Sequence, residues 1–167
     1  MNIFNKQYGV SVIKFIALTP LILIGLVVLA FIFTLLNKAY WDYRVEKMCE
    51  KDGGVTVYEI INLPKKSELI SFSGNVIIPN QGESNSSDPY YIAFSETIVK
   101  NRFPQVRRTE TKIIRSIDLR LLSLRVSYSR GGGDFPTGIA APSSFSCRSL
   151  KNINSRLIKS TFSVKEI

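Results

Sequence analysis

The feature that most constrains this chain is an uncharged apolar run from Phe15 to Leu36, FIALTPLILIGLVVLAFIFTLL. About 20 such residues in a helix cross the ~30 Å hydrocarbon core of a bilayer. A helix that is apolar on every side has little to pack against in a domain built from so short a chain, so a buried helix of a soluble domain is disfavoured. The run therefore predicts a transmembrane helix.

A cleaved signal peptide is the main alternative for this run. Its apolar region would span only ~7–15 residues and would end in small residues suited to cleavage. Here the run is longer, and the sequence that follows it is NKAYW (37–41), whose aromatic rings suit the headgroup layer. We expect an uncleaved signal anchor, with residues 1–14 in the cytoplasm, 15–36 in the membrane and 37–48 as a polar stalk.

The charges that flank the run do not decide its orientation. Lys6 and Lys14 precede it, and residues 38–52 interleave four Lys or Arg with four Asp or Glu. A count of Lys and Arg would place the second side in the cytoplasm, but a long domain is translocated largely regardless of its charge. The orientation therefore depends on the two cysteines, because disulfides persist mainly outside the cytosol.

The remaining 131 residues, 37–167, are enough for one domain with its own core. This part carries 20 Lys and Arg against 13 Asp and Glu, a net charge of +7, and the chain has no histidine. The lack of histidine excludes the usual nucleophile–histidine triads and most zinc sites. We predict no metal, no cofactor and no small-molecule substrate.

Alternation of apolar and polar residues is clearest in LLSLRVSYS (121–129). Its apolar positions are Leu122, Leu124, Val126 and Tyr128. This two-residue period predicts a strand with one buried face and one wet face. Strands are also predicted over 109–117 and over YYIAFSETIV (90–99), where Ile92, Phe94 and Ile98 share a face. The three together are typical of an antiparallel meander.

Other elements are shorter or ambiguous. The β-branched segment VTVYEII (55–61) predicts a strand that ends at Leu63-Pro64, and residues 75–78 predict a short strand. The polar segment 80–89 is a loop. Residues 65–78, including the segment 75–78, and residues 149–167 are compatible with helix or strand. The fold class is α+β: one N-terminal transmembrane helix and a small domain, 49–167, with an antiparallel meander and one or two short helices.

Few residues suggest catalysis. Asp52, Glu59 and Asp134 could form an acid–base pair, although nothing in their spacing requires it. The glycines of RGGGD (130–134) suggest a phosphate loop, but Phe135-Pro136 follows in place of a helix start and no GK[ST] is present. A glycine-rich loop that leaves a strand end is the favoured interpretation. We predict that the protein is not an enzyme.

Nine basic residues between positions 100 and 130 form the strongest charge signal, against two acids. They are Lys100, Arg102, Arg107, Arg108, Lys112, Arg115, Arg120, Arg125 and Arg130. On strands, several would share one solvent-facing side. They either discourage strand-to-strand aggregation or form a surface for an anionic partner such as lipid headgroups, an envelope polymer or an acidic protein. Nucleic acid would be their partner only in the cytoplasm.

Two segments carry a resemblance to a known group. They are CEKDGGVTVYE (49–59) and a stretch that begins VSYSRGGGDFP (126–136) and ends PSSFSC (142–147). They resemble an uncharacterised family of small membrane-anchored proteobacterial proteins with C-x-x-D-G-G-x-x-V-Y-E and S-Y-S-R-x-G-G-D-x-P…P-S-S-F-x-C segments. The match covers only these two parts of the outer domain. It implies a bacterial envelope setting and two cysteines that belong together.

From these observations we expect a single-pass inner-membrane protein with its C-terminal domain in the periplasm and a disulfide between Cys49 and Cys147. The expected function is a non-catalytic interaction module that is anchored in the lipid bilayer and binds a protein partner, as an accessory subunit of an envelope complex. The alternatives are an envelope-acting hydrolase that uses carboxylates near Asp52 and Asp134, and a cytoplasm-facing domain that binds nucleic acid.

Overall fold

A computed structural model describes residues 4–134, 141–147 and 153–165, with the backbone alone for 4–17, 153–155 and 165. Within these residues the chain shows the predicted α+β architecture. The elements in chain order are α1 (Phe4–Asp52), β1 (Gly54–Val57), β2 (Ile61–Pro64), β3 (Tyr90–Lys100), β4 (Gln105–Arg115), β5 (Leu121–Gly131), β6 (Ser144–Ser146), α2 (Ile153–Thr161) and β7 (Phe162–Lys165).

Helix α1 contains the apolar run and continues beyond it as one helix to Asp52. The apolar side chains described in the run are exposed, and this helix is long and apolar enough to cross a membrane. The helix ends at Asp52, and the N–H of Gly53 donates to the carbonyl of Cys49 at 2.9 Å to close the last turn. A Cβ at position 53 would lie 2.6 Å from that carbonyl oxygen, so glycine is required there.

Strands β3, β4 and β5 form the predicted antiparallel meander. The main sheet has the order β1-β5-β4-β3, and β6 pairs with the last residues of β5. Strands β2 and β7 form a separate parallel pair. Strand β3 therefore lies at one edge of the main sheet.

Each face of the main sheet is covered over part of its length, and the covered parts lie at opposite ends of the strands. One face, called here the α1 face, packs on the stalk part of α1, and its buried residues are Val45, Val106, Val126, Tyr128 and Cys147. The other, called the α2 face, packs on α2 and on the β2–β7 pair. Its buried residues are Leu63, Ile78, Ile113, Leu122, Leu157 and Phe162. The stalk is thus part of the domain's core.

The prediction that β5 has one wet face is wrong. Leu122, Val126 and Tyr128 are buried as expected, but Ser123 on the opposite side is also fully buried. Its hydroxyl contacts the Thr161 hydroxyl at the end of α2, at 2.8 Å. A bulge in the β4–β5 pairing next to Ile113 and Ile114 brings Leu122 into the α2-face core. A central strand with helices on both faces buries alternate residues on both sides.

Strand β3 also departs from expectation. The predicted apolar face of Ile92, Phe94 and Ile98 exists, because alternate residues share a face. However, the Phe94 side chain is 64% exposed and that of Ile98 is 51% exposed. Tyr90 and Ile92, at the start of β3, pack against the α2-face core, whereas the far part of this face is open.

The segment 55–61 is not one strand. Strand β1 ends at Val57, and the N–H groups of Tyr58 and Glu59 both donate to the carbonyl of Leu122, at 2.8 and 3.1 Å. The chain then leaves the main sheet, and β2 pairs with β7 and ends at Pro64. Residues 75–78 also form no strand: Val76 makes an isolated bridge to Ile70.

The ambiguous C-terminal segment contains both candidate structures. Residues Ile153–Thr161 are the helix α2, and Phe162–Lys165 are the strand β7. Residues 149–152, 166 and 167 of that segment lie outside the described part of the chain. The segment 80–89 is a loop with turns, as predicted.

Candidate functional site

One face of the stalk meets the sheet. Lys38, Asp42, Val45, Cys49 and Asp52 recur at intervals of three or four residues, which places them along one side of α1. Each of these side chains contacts the α1 face of the sheet or the loops that follow β5 and β6. These contacts define a site that we call the junction.

The centre of the junction is the disulfide between Cys49 and Cys147, which confirms the predicted bond. Its Cα atoms are 5.9 Å apart and the two residues are 98 positions apart in sequence. Cys147 is only 4% exposed and lies beside β5, where its N–H approaches the carbonyl of Tyr128 at 3.4 Å. The bond therefore joins the stalk covalently to the residue that follows β6, the short strand that pairs with the central strand β5.

Polar contacts hold the helix on either side of the disulfide. Toward the apolar run, Arg130 donates from Nε to Oδ1 of Asp42 at 2.5 Å, and its side chain is 1% exposed. At the other end, the hydroxyl of Tyr128 donates to Oδ2 of Asp52 at 2.9 Å, and Arg108 Nε lies 3.7 Å from that oxygen. Burial raises the pKa of the Tyr128 hydroxyl, and its hydrogen bond to the Asp52 carboxylate adds to the rise.

The last polar contact lies just beyond the apolar run. Lys38 Nζ donates to Oδ1 of Asp134 at 2.5 Å, and the N–H of Ser143 donates to the other carboxylate oxygen at 2.5 Å. The hydrogen bond from Lys38, followed by those from Ser143, holds the pKa of the Asp134 carboxyl well below its usual range. Asp134 thus connects the helix to both ends of the connection between β5 and β6.

The glycine-rich loop, residues 130–134, packs closely against the turn that contains Phe103 and Pro104. Gly132 and Gly133 have φ of +80° and +101°, in the region that favours glycine. A Cβ on Gly132 would overlap the ring of Phe103, and one on Gly133 would lie 3.3 Å from Cβ of Pro104. The two ends of this loop, Arg130 and Asp134, are already paired with α1. The loop leaves the end of β5, as predicted, and in the described structure it docks on α1.

Two segments that are distant in sequence come together at the junction. The first supplies Cys49 and Asp52, and the second supplies their partners Cys147 and Tyr128. Sequence reasoning found the disulfide but missed the pairing of Asp42 with Arg130. The helical spacing of charges in the stalk is the signal that could have indicated it.

The nine basic residues do not share one solvent-facing side, so that prediction is wrong. By strand register, Lys100, Arg108, Lys112 and Arg130 lie on the α1 face, and Arg107, Arg115 and Arg125 lie on the α2 face. Arg102 and Arg120 lie in the connections before β4 and β5.

Most of these basic residues pair with carboxylates of the domain. Arg108 and Lys112 both contact Glu110, and Arg115 and Arg120 both contact Glu59. The hydrogen bonds from Lys112 and then from Arg108 lower the pKa of Glu110. The cluster therefore neutralises internal acids and is not one continuous surface for an anion.

The candidate catalytic carboxylates are also separated. Asp52 binds Tyr128, Glu59 binds arginines at the far end of β4, and Asp134 binds Lys38. Lys38 and Asp52 are 14 residues apart on α1, which is about 21 Å at 1.5 Å per residue. Asp52 and Asp134 therefore do not converge in one pocket, and the hydrolase hypothesis lacks the shared site that it needs.

A groove of about 360 Å³ lies on the α2 face beside β3. Its lining includes Ile92, Phe94, Thr109, Thr111, Ser127 and Leu157. Asn80 and Arg125 also line the groove, so it combines apolar, hydroxyl, amide and guanidinium groups. A guanidinium favours a carboxylate of a peptide and disfavours a metal ion. Among the described residues, no group of three or more Cys, Asp or Glu is placed to hold a metal ion.

Strand β3 forms one side of this groove, and its outer edge is the side that faces away from β4. The N–H and carbonyl of Ile92 point outward, to the carbonyl of Pro79 and the N–H of Gln81, at 2.9 and 2.8 Å. Backbone groups that point to one edge alternate along a strand, so those of Phe94, Glu96 and Ile98 also point outward. Among the described residues, no strand pairs with this part of the edge.

Comparisons with known proteins found no relative of this chain. No family model matches the chain, and no curated protein and no solved structure matches it.

Proposed function

We propose that the protein is a non-catalytic interaction module anchored in the bacterial inner membrane, with its domain in the periplasm as an accessory subunit of an envelope complex. The apolar helix supports the anchor. The disulfide supports an oxidising compartment and disfavours the cytoplasmic, nucleic-acid-binding alternative. The separated carboxylates disfavour the hydrolase.

The observation that carries the proposal is the open edge of β3. Phe94, Glu96 and Ile98 offer unpaired strand positions, and two of these side chains are large, apolar and more than half exposed. A long exposed edge is a template for pairing with another chain. An extended partner segment that adds a strand gains main-chain hydrogen bonds at the edge, and pockets for alternate side chains give specificity. The groove beside Phe94 supplies such a pocket.

A second copy of this chain does not fit the edge. Strand β5 runs toward the apolar run, since Tyr128, Arg130 and Asp134 contact successively earlier positions of α1. Strand β3 points the same way, so two copies in one membrane would present parallel β3 edges. A two-fold axis normal to the membrane would then place like backbone groups opposite each other, which cannot form hydrogen bonds.

The partner segment that fits is acidic. Arg107 and Arg125 lie on the α2 face beside this edge, and residues 37–167 carry a net charge of +7. Complementary charge steers encounter and disfavours wrong partners. We therefore assign the β3 edge to an extended, acid-rich segment of another envelope protein.

The test is a proline at Glu96, whose N–H points outward. Proline is tolerated at such an edge position but removes the donor that an added strand needs. Glu96→Thr is the matched control, because it also removes the ion pair between Glu96 and Arg107 but keeps the N–H. Both variants are purified in detergent from native membranes, and the co-purifying proteins are compared with those of the wild type.

We expect a partner that the wild type and Glu96→Thr retain and that Glu96→Pro loses. Melting curves in detergent should show that all three proteins are folded. Retention of every partner by Glu96→Pro would overturn the edge as the binding site. Equal loss from both variants would assign binding to the Glu96 charge and would also reject strand addition.

A further inference from the structure

The turn between β3 and β4, residues 101–104, lies close to the level of the membrane surface. Trp41 is five residues beyond Leu36, which is about 7.5 Å along the helix. The headgroup layer on each side of the ~30 Å core is about 5–8 Å thick. If 15–36 lies in the core, Trp41 is therefore at the outer part of the headgroups.

Lys100 fixes the turn at that level. Its Nζ lies 4.7 Å from the centroid of the Trp41 ring, within the range of a cation–π contact. The same ammonium donates to the carbonyls of Arg102 and Pro104, at 2.8 and 2.7 Å. Because β3 runs toward the apolar run, the tip of the turn extends from Lys100 toward the bilayer.

The tip presents one aromatic ring and one guanidinium. Phe103 is 61% exposed, although one side of its ring lies close to the backbone of Gly132. Arg102 is also exposed. Gly132 leads to Asp134, whose partner Lys38 lies only two residues beyond Leu36. The turn is thus tied to α1 at two points, through Trp41 and through Lys38, and its exposed apolar ring has a fixed direction.

We propose that this turn is a second membrane contact, in which Phe103 enters the headgroup layer and Arg102 binds the phosphate of anionic lipids. Exposed apolar side chains such as Phe insert at the boundary between headgroups and acyl chains, and a basic residue near an anionic surface is attracted to it. The contact goes beyond the proposed protein-binding function and uses a different surface. It holds the domain against the bilayer and thereby sets the direction in which the β3 edge faces.

The test places a single tryptophan at the turn of the full-length protein. Trp41→Phe removes the only native tryptophan but keeps an aromatic ring for Lys100. Phe103→Trp is added to this background, and Ile117→Trp is the matched control. Ile117 is 91% exposed in the connection at the opposite end of β4. Both proteins are placed in nanodiscs of phosphatidylcholine mixed with phosphatidylglycerol.

We expect tryptophan at 103 to emit at shorter wavelength than tryptophan at 117 and to lose most of its emission to lipids brominated near the top of the acyl chains. Tryptophan at 117 should be unaffected. Equal emission and equal insensitivity to bromine at the two positions would overturn the contact.

Deuterium exchange of the otherwise unchanged protein tests the lipid charge and does not depend on the tryptophan variants folding. Amides of residues 101–103 should exchange several-fold more slowly in nanodiscs that contain phosphatidylglycerol than in phosphatidylcholine alone. Amides of 116–119 should not differ, and Arg102→Gln should abolish the difference. Identical exchange in both compositions would overturn the assignment to anionic lipid.

Discussion

Arg130 and Asp42, which are 88 residues apart in sequence, form an ion pair of 2.5 Å between the end of β5 and the stalk. The Arg130 side chain is 1% exposed and that of Asp42 is 26% exposed. Removing a guanidinium from water costs several kcal/mol unless a carboxylate compensates it. The pair therefore allows one position of α1 on the sheet and penalises others.

Removing the carboxylate should be the more damaging change to this pair. Asp42→Ala leaves a buried charge without its partner, and we expect a loss of about 3–5 kcal/mol in the free energy of unfolding. Arg130→Met removes the charge and keeps much of the volume, so it should cost less. The double variant should be more stable than Asp42→Ala alone. Denaturation in detergent, followed by fluorescence of Trp41, measures all three.

The control for this prediction is an exposed ion pair on the same helix. Lys47 and Glu50 are 2.6 Å apart and their side chains are 51% and 57% exposed. Lys47→Ala should leave stability close to that of the wild type, because such pairs are well solvated. A loss from Asp42→Ala no larger than that from Lys47→Ala would show that the buried pair does not hold the stalk.

Sequence patterns predicted the meander because β3, β4 and β5 are long and consecutive along the chain. They could not predict that β5 is central. Ser123 and Ser127 look like wet-face residues, but β5 pairs with β1 and β4 and is covered by helices on both faces. Strand order and the position of covering helices depend on contacts that are distant in sequence, and two-residue alternation does not contain them.

The disulfide and the loop glycines show what local chemistry can predict about the site. The chain has only two cysteines, so a chain expected in an oxidising compartment has only one internal disulfide to predict, Cys49–Cys147. The division of the basic residues between two faces follows from register, and a single-residue shift reverses every assignment. The open edge of β3 depends on which strand ends the sheet, and nothing in its own sequence indicates that position.

The disulfide should contribute a large share of the stability. Cys49→Ser or Cys147→Ser should lower the free energy of unfolding by about 2–4 kcal/mol, since the bond closes a long loop in the unfolded chain. The double variant should match either single one, because both remove the same bond. Reductant should weaken the wild type to the same level and leave the double variant unchanged. A drop on reduction in the double variant would contradict this account.

The contact between Lys38 and Asp134 should make stability depend on pH. The pKa of Asp134 is held below the ~3.9 of an unfolded aspartate, so its ionised form stabilises the folded state above that pH. This contribution falls as the pH drops below about 4. Asp134→Asn should therefore be less stable than the wild type near neutral pH, and the difference should shrink in acid.

Urea titrations at several pH values measure this difference for Asp134→Asn. Glu68→Gln, at an exposed position outside the junction, is the control and should follow the wild-type curve. A difference for Asp134→Asn that stays constant from neutral to acidic pH would show that the carboxylate charge is not what stabilises the loop.

Gly131 and Gly132, which follow Arg130, should respond differently to replacement by alanine. Gly131 ends β5 with open space around it, so Gly131→Ala should stay within ~0.5 kcal/mol of the wild type. Gly132 has a φ of +80° and its Cβ would overlap the Phe103 ring, so Gly132→Ala should cost about 1–3 kcal/mol. Adding Phe103→Ala should recover the steric part of that loss but not the backbone part. Equal melting temperatures for Gly131→Ala and Gly132→Ala would show that close packing of the loop against Phe103 does not require glycine at position 132.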